Sequence, residues 1–505
     1  MRTPVLLLGI LLIASAQAQV AVRSYYDTFT NAGPLSERTT LLANGDALYY
    51  DQGWNGLARL APDGSVVWYK RFAIDPDPLA FTAIAHVAEQ DNGNLAVAIV
   101  QRDPGLDYAP GLMMLSAVGS VLNAHVASDV SMEVLDWLRV FVASPGGDLL
   151  MTLRDAGSNG SIHRFDAVGS HVLSETYPSA GNVLVEGLVQ GSSLIGATVG
   201  GLQEFAPGGW ALVPNITPIG GVNYTAFIWD VAPVPGGFAF AFVRTGGPEL
   251  MMPGIGLVDQ NGVFQDAIVF EIDALMGMTN LFDRPRLAST VNGLALACNN
   301  GSQNDPAGWL MTCAHELSNA QVLRVDLGDE SYARSVSAWS GDLVLTGYVD
   351  QFGVGERLIA RTSNGLDMSD CFPAEPFTVQ PFPMQTLAFT PPAGTAATTT
   401  WTAVTPTVTD ATFNSDFLCG VQSVEGPALA SFTLLPNPAM GSVRVQGIPS
   451  GSSTVELVDP LGRSVLRRAF TGTELVLDVN ALSRGVYTVH VHTGQGRGSR
   501  LLVLE

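Results

Sequence analysis

A short phrase that recurs seven times constrains the fold of this chain more than any other sequence feature. Each copy is a glycine-containing turn followed by an apolar run, and the copies lie at the spacing of propeller-type repeats. A four-stranded unit of this kind buries its faces only against neighbouring units, so closure into a ring is the economical arrangement. The copies are NGDALYY at 44–50, NGNLAVAIV at 92–100, GGDLLMTL at 146–153, GSSLIGATV at 191–199, GGFAFAFV at 236–243, NGLALAC at 292–298 and GDLVLTGYV at 341–349.

The apolar segments around each phrase supply four short strands per unit. Between the copies, an apolar strand meets a Gly-containing turn and continues into another strand, as in LARLAPDGSVVWYKRF at 57–72. We therefore predict an all-β chain in which residues 19–370 form a β-propeller of seven blades, with six or eight as alternatives. Residues 25–29 resemble the fourth strand of a unit but precede the first copy, so we expect them to complete the last blade.

The N-terminus reads as an export signal. Arg2 supplies a positive charge, an apolar core follows, and Ala16 and Ala18 form a small-residue cleavage site before Gln19. The apolar core is too short to span a bilayer. We predict that residues 1–18 are a cleaved signal peptide and that the mature chain has no transmembrane segment.

The composition favours many short strands and argues against binding to nucleic acid. The chain has 54 Gly, 30 Pro and only 14% charged residues, which suits short strands joined by tight turns. Its formal net charge is −22. Phosphate binding needs clustered cations that release counterions, so nucleic acid is not an expected partner.

Four cysteines in an exported chain predict two disulfides, because the compartment is oxidising. Their spacing favours Cys298 with Cys313 and Cys371 with Cys419, although four cysteines allow three connectivities. Residues 371–420 are rich in Thr and Pro, and we predict a short β appendage stapled at its base by the second bridge. Residues 421–430 are then a linker.

The last segment, residues 431–505, alternates apolar and polar residues in about seven short phrases separated by turn formers. This pattern predicts a small antiparallel, Ig-like β-sandwich. Several residues stand out in it by type and order: they are Pro436, Asn437 and Pro438 at the entry, Asp459 and Gly462 at a central turn, Gly485 and Tyr487 before and in the penultimate strand, and Arg500 near the end.

These motifs resemble the type A C-terminal sorting domain of the type IX secretion system of Bacteroidota. The segment departs from the family pattern in having Leu435 where an aromatic residue often precedes Pro-Asn-Pro, and Arg500 where lysines are common. The resemblance implies passage through the periplasm, recognition by the outer-membrane translocon, and removal by its sorting peptidase. It thus implies an extracellular or surface-attached protein.

The sequence carries little sign of catalysis in the propeller region. His315-Glu316 is not followed by the second histidine of a zinc-protease helix, and no nucleophile elbow, phosphate-binding loop or paired CxxC is present. We therefore assign no catalytic residue and no cofactor. Oxygen-rich clusters at 75–77 and 300–305 suit Ca²⁺, although solvated turns explain them more simply.

Two hypotheses for the propeller follow. The first is a surface binding, adhesion or structural module with a glycan or peptide ligand, because Trp54, Trp137, Trp229 and Trp339 fall near blade starts or connecting loops; such aromatic residues bind sugars and extended peptides and also fill cores. The second is a secreted hydrolase or lyase acting on polysaccharide or peptide. That activity requires Asp136, Asp230 and a histidine to converge at the channel mouth.

Overall fold

The structure is a computed structural model, and it divides the chain into two compact units, residues 1–420 and residues 421–505. Every described element is a β-strand or a turn, as predicted for an all-β chain. The described residues are 20–26, 37–51, 55–74, 81–102, 108–132, 138–142, 147–155, 159–177, 184–190, 193–198, 201–206, 209–211, 215–218, 225–245, 251–272, 285–299, 308–327, 330–339, 341–351, 354–362, 366–387, 395–420, 432–448, 452–458, 464–480, 482–493 and 496–504.

In the first unit, the described residues form seven blades, each a sheet with four antiparallel strands contributed by the repeats. Strand β1 (Val20–Tyr26) belongs to the last blade. Blades 1 to 3 contain, in order, β2 (Glu37–Leu41), β3 (Ala47–Asp51), β4 (Gly56–Leu60) and β5 (Val66–Ala73); β6 (Phe81–Glu89), β7 (Leu95–Arg102), β8 (Tyr108–Leu115) and β9 (Val121–Ala127); and β10 (Arg139–Val142), β11 (Leu149–Arg154), β12 (Gly160–Phe165) and β13 (His171–Tyr177).

The remaining blades follow in chain order, with one extra strand, β18, between blades 4 and 5. They contain β14 (Leu184–Gln190), β15 (Ser193–Thr198), β16 (Gly201–Ala206) and β17 (Gly209–Ala211), then β18 (Asn215–Pro218); β19 (Thr225–Val234), β20 (Gly237–Thr245), β21 (Met251–Asp259) and β22 (Phe264–Ile272); β23 (Arg286–Thr290), β24 (Gly293–Asn299), β25 (Gly308–Cys313) and β26 (Gln321–Val325); and, in blade 7, β27 (Glu330–Trp339), β28 (Asp342–Gln351) and β29 (Val354–Thr362) with β1.

The seven predicted phrases each supply the second strand of a blade, from β3 to β28. The ring closes as expected, because β1 pairs with β29 and the innermost strand of blade 7 contacts that of blade 1. The closing strand is Val20–Tyr26, shifted toward the N-terminus from the predicted 25–29, and residues 27–29 lie outside the described residues.

The second predicted signature is the hairpin between the third and fourth strands of a blade. In blade 3, Asp166 Oδ1 accepts hydrogen bonds from the backbone N–H groups of Val168 and Ser170, at 3.1 and 2.7 Å. Gly169 then takes a φ of +85°, which side chains with a Cβ rarely adopt. The strand register also shifts by one residue close to this turn, because Phe165 is opposite His171 whereas Arg164 is opposite Leu173.

Residues 371–420, which we call the belt, differ from the predicted appendage because their strands do not form a sheet of their own. Each one pairs with strands of the ring, and successive strands meet the blades in descending order. After Ala374 bridges to Leu323 in blade 6, the first belt strand joins blade 5, the second pairs with β18, and the next three join blades 3, 2 and 1. The last strand pairs with β1 in blade 7. The belt strands are β30 (Phe377–Pro381), β31 (Met384–Leu387), β32 (Thr395–Ala397), β33 (Trp401–Ala403), β34 (Thr407–Asp410) and β35 (Asn414–Gly420).

In the described part of the chain, the belt therefore passes every blade and adds an outer strand to five of them, which covers edges that would otherwise be available to other chains. Its two ends meet at a disulfide between Cys371 and Cys419, which confirms one of the two predicted bridges. The closed loop encircles the ring. Thr and Pro suit these short edge strands, since proline is excluded from central strands.

The other predicted bridge is wrong. Cys298 and Cys313 lie on neighbouring strands, but Cys298 is opposite Trp309 and Cys313 is opposite Leu294. This offset separates them by roughly 13 Å along the strands, beyond the reach of a disulfide. Both are buried thiols, and burial raises the pKa of Cys313 to about 12.

The second unit contains a three-stranded and a four-stranded antiparallel sheet. The two sheets share one apolar core, to which Val445 and Leu477 contribute from the first sheet and Leu457 and Val489 from the second. It is therefore a two-sheet sandwich, and the Ig-like assignment stays a prediction. Its strands are β36 (Thr433–Leu435), β37 (Ser442–Gln446), β38 (Ser452–Val458), β39 (Ser464–Thr471), β40 (Glu474–Asp478), β41 (Gly485–Thr493) and β42 (Gly496–Leu504).

The predicted signal peptide, including Ala16, Ala18 and Gln19, lies outside the described residues and stays a prediction. Within the described part of the chain, no helix qualifies as a membrane span.

Candidate functional site in the centre of the ring

A cavity of about 570 Å³ lies between the innermost strands of the propeller. Among the described residues, six blades line it, mainly through β2, β6, β10, β19, β23 and β27. Each of these strands is the inner edge strand of its sheet, so one backbone edge faces the cavity. The volume falls within the usual range for small-molecule sites.

Several blades contribute polar side chains to the lining of the cavity. Hydroxyl groups come from Thr39 and Thr40 in blade 1, Ser289 in blade 6, and Ser335 and Ser337 in blade 7. Thr39 and Ser337 link neighbouring blades through an Oγ1···Oγ contact of 3.1 Å. These groups both donate and accept hydrogen bonds, so the wall suits a ligand rich in hydroxyl or amide groups.

The cavity wall also carries charged and aromatic side chains. The guanidinium-bearing residues Arg38 and Arg286 are only 7% and 5% exposed. His86 packs against Phe141, with 5.7 Å between the ring centroids. Arg38, His86 and Arg286 each lie on the strand that precedes a turn-glycine phrase. Sequence reasoning missed these three residues, and a polar side chain within that strand was the available signal.

The two described acidic residues of the cavity are committed to the scaffold. Asp230 accepts hydrogen bonds from the backbone N–H groups of Val231 and Leu287, each at 2.8 Å, and so joins blade 5 to blade 6. Glu89 accepts one from the N–H of Ala43 at 2.7 Å, which joins blade 2 to blade 1. Because both carboxylates accept hydrogen bonds from backbone N–H groups, a structural role explains their positions better than a role in proton transfer.

The constellation required for hydrolysis lies only partly within the described residues. Asp230 and His86 line the same cavity, but Asp136 lies outside the described residues. Trp54 and Trp137 also lie outside them. Trp229 is half-buried on β19, next to Asp230.

The predicted oxygen clusters at 75–77 and 300–305 lie outside the described residues as well. Among the residues that are described, no group of three or more His, Cys, Asp or Glu side chains is arranged to hold a metal ion.

Two of the other histidines, the buried His163 and the half-buried His171, form a cluster under the belt, away from the cavity. Ser174 Oγ lies 2.7 Å from His163 Nδ1 and 2.8 Å from His171 Nε2. The belt residue Trp401 stacks on His171 and meets the edge of His163, with centroid distances of 5.7 and 5.3 Å. Burial lowers the pKa of His163 to about 3 and also lowers that of His171. This cluster fixes the belt to blade 3.

In the second unit, the predicted motif residues hold its two ends together. Asn437 Oδ1 accepts a hydrogen bond from the N–H of Val503 at 2.9 Å, and Ala439 N–H donates to the carbonyl of Val503 at 2.8 Å. The Pro436-Asn437-Pro438 segment is therefore fastened to the last strand, β42. The guanidinium of Arg500, on that strand, lies 5.9 Å from the ring centroid of Phe432.

The remaining motif residues lie in and before β41. Tyr487 is buried and donates its hydroxyl to the carbonyl of Ser483 at 2.8 Å. Gly485 begins the strand, and Asp459 and Gly462 lie outside the described residues. The described motif residues thus stabilise one small domain.

Residues 433–505 match the family model of the secretion system C-terminal sorting domain. The chain carries a type IX sorting domain. The sorting domain indicates export to the cell surface or the extracellular space, which confirms the predicted localisation. The signal peptide and the bacterial phylum stay predictions.

No curated protein matches the chain. Among solved structures, virginiamycin B lyase from Staphylococcus aureus is similar at 10% identity, covering 69% of this chain and 99% of that one, with a TM-score of 0.40. The Pan2 WD40 domain of Neurospora crassa is similar at 11% identity, covering 67% and 95%, with a TM-score of 0.41. A protein of unknown function from Bacteroides caccae is similar at 16% identity, covering 56% and 90%, with a TM-score of 0.30. Likenesses this distant carry no information on activity.

Proposed function

We propose that this exported propeller is a carbohydrate-binding protein and that its central cavity holds a monosaccharide or the end of an oligosaccharide. One observation carries the proposal: a cavity of about 570 Å³ is lined by strand edges and hydroxyl groups from separate blades. A sugar-binding site needs many hydrogen-bond donors and acceptors, together with an apolar or aromatic wall. Phe141, packed against His86, supplies such a wall.

The commitment of Asp230 and Glu89 to backbone donors supports binding over glycoside hydrolysis. Hydrolysis of a glycosidic bond uses two carboxyl groups that flank the scissile bond, one of them as a proton donor. Both carboxylate oxygens of Asp230 already accept backbone hydrogen bonds, one from blade 5 and one from blade 6. Asp230 therefore suits a role in joining blades.

The experiment is a glycan and peptide array probed with residues 20–420, followed by calorimetry on any hit. Ala88 and Ala338 are small, half-buried cavity residues, so Ala88→Trp and Ala338→Trp fill the cavity. Val118→Trp is the matched control, because Val118 is 66% exposed on a turn outside the cavity.

We expect a carbohydrate to bind the parent and the control but neither cavity-filling variant. Binding that survives both cavity substitutions would place the ligand elsewhere and contradict the proposal. Selective binding of peptides would replace a carbohydrate ligand with a peptide ligand. Release of a cleaved product would instead support the hydrolase or lyase hypothesis.

For export, we propose that the outer-membrane translocon recognises residues 431–505 and that a sorting peptidase then removes them. The match to the sorting-domain family and the separate core of this unit support this route. Deletion of 431–505 should leave the propeller folded but retained within the cell envelope, as judged by fractionation and immunoblotting. Normal amounts of the truncated chain in the medium would contradict it.

A further inference from the structure

The belt disulfide depends on the N-terminal strand of the ring. Cys419 lies on β35 directly opposite Val22 of β1, and on its other side Val22 is opposite Ala360 of β29. Strand β1 is thus the middle one of three and connects β35 to the ring. Until β1 has docked on β29, the strand that carries Cys419 has no place to pair.

Cys371 is positioned by the same blade. The backbone N–H groups of Cys371 and Phe372 donate to the carbonyl of Met368, at 3.0 and 3.1 Å. The side chains of Met368 and Phe372 are fully buried in the core that also contains Val22. Cys371 and Cys419 are therefore brought together only when the core of blade 7 has formed around β1.

The path between the two cysteines adds a topological condition. The intervening belt passes the other six blades before it returns to blade 7. If the bond formed first, the strands of the propeller would have to thread a closed loop spanning a separation of 48 residues. Protein chains very rarely thread loops. The ring must therefore assemble first and the belt close around it.

We propose that oxidation of Cys371 and Cys419 is the last step in the folding of the first unit, and that it follows docking of β1. A disulfide-bearing oxidant outside the cytoplasm performs it by thiol–disulfide exchange. One cysteine thiolate attacks the oxidant's disulfide, and the second thiolate then resolves the mixed disulfide. The S–S bond of the belt forms, and the oxidant leaves as a dithiol carrying two electrons and two protons.

Two features of the cysteines fit this order. Cys371 and Cys419 are both partly exposed, so an oxidant can reach them on the folded ring. Cys298 and Cys313 are buried in blade 6, so they are protected once the ring has packed. The four cysteines therefore report ring packing and belt closure separately.

The experiment refolds the reduced full-length chain in a glutathione redox buffer and quenches samples over time with maleimide-linked polyethylene glycol, followed by peptide mapping. The expected intermediate has adducts only at Cys371 and Cys419, because its ring has packed while the belt is open. An intermediate with adducts only at Cys298 and Cys313 has a closed belt around an unpacked ring. Its accumulation would overturn the proposal.

A variant pair tests the role of β1. Val22→Asp puts a charge at a fully buried position of the closing strand, and we expect loss of the Cys371–Cys419 bond with both residues labelled. Val408→Asp is the matched control, because Val408 is 37% exposed on the belt strand that pairs with blade 1, and it should oxidise normally. If the Cys371–Cys419 bond formed as completely in Val22→Asp as in the parent, the proposal would be contradicted.

Discussion

Acid should weaken the attachment of the belt at His163, which is 1% exposed. The pKa of this side chain is lowered to about 3, mainly by burial, whereas a histidine in an unfolded chain has a pKa of about 6.5. Protons therefore bind the unfolded state more readily between these values. The stabilisation is fully present above about pH 6.5 and is lost as the pH falls toward 3.

The size of the effect follows from proton linkage. Lowering the pH from 7 to 5 should cost about 2 kcal/mol at His163 alone, because one pKa unit corresponds to about 1.4 kcal/mol. The lowered pKa of His171 adds a loss of the same sign. Because both rings contact Trp401, the belt near blade 3 should open first.

The assay is urea unfolding at pH 7 and pH 5 at constant ionic strength. In His163→Phe, the loss of stability between the two pH values should be smaller than in the parent by about 2 kcal/mol. Ser174→Ala is the control: it keeps both histidines, including the buried His163, and should retain most of the acid sensitivity. If His163→Phe lost as much stability as the parent, His163 would not be the buried neutral group that the structure describes.

Three further changes test individual contacts. Gly256→Ala puts a Cβ against the ring of Phe240 on the neighbouring strand, so the free energy of unfolding should fall by about 1–3 kcal/mol and the Tm should fall with it. Phe240→Leu makes room for the Cβ and should restore much of the lost stability in a double-mutant cycle. Tyr487→Phe removes the hydrogen bond to Ser483 and should cost the sorting domain about 1 kcal/mol by calorimetry; an unchanged Tm would mean that the bond contributes nothing. Replacing Cys371 and Cys419 together by alanine opens a loop with a separation of 48 residues, so the free energy of unfolding in urea should fall by about 4 kcal/mol, and an unchanged midpoint would refute a stabilising belt.

The ring was predictable because its information is local. Each turn glycine, with the apolar strand after it, lies within one short stretch of sequence, and seven repetitions identify the unit. The closing strand was also predictable, since Tyr25 and Tyr26 resemble the aromatic residues of other outer strands. The motif around Pro436 and Tyr487 identified the sorting domain in the same way.

The belt was not predictable, because its strands are short and pair with segments hundreds of residues away. Thr407 pairs with Ala73, and Thr395 with Thr176. No alternation within a three- or four-residue strand encodes such partners. Isolated aromatic residues were the only hint: Phe413 of the belt packs against Tyr69, with ring centroids 4.9 Å apart.

The prediction of a bridge between Cys298 and Cys313 failed for a related reason. Cys298 and Cys313 lie on adjacent strands, as expected, but a disulfide depends on register, which the sequence leaves open. The cavity was partly foreseen, since Asp230 was expected at the channel. Its engagement with the backbone of Leu287 arises only when blades 5 and 6 meet.

The position of Gly420 beside Ala21 determines how a pull on the C-terminal end would load the propeller. Tension applied there meets Cys419 after a single residue, and the covalent bond passes the load directly to Cys371. The outer strands between these two points are bypassed and cannot be peeled away one after another. If the chain is pulled through its sorting domain, the disulfide should therefore keep the propeller from unfolding strand by strand from its C-terminal end.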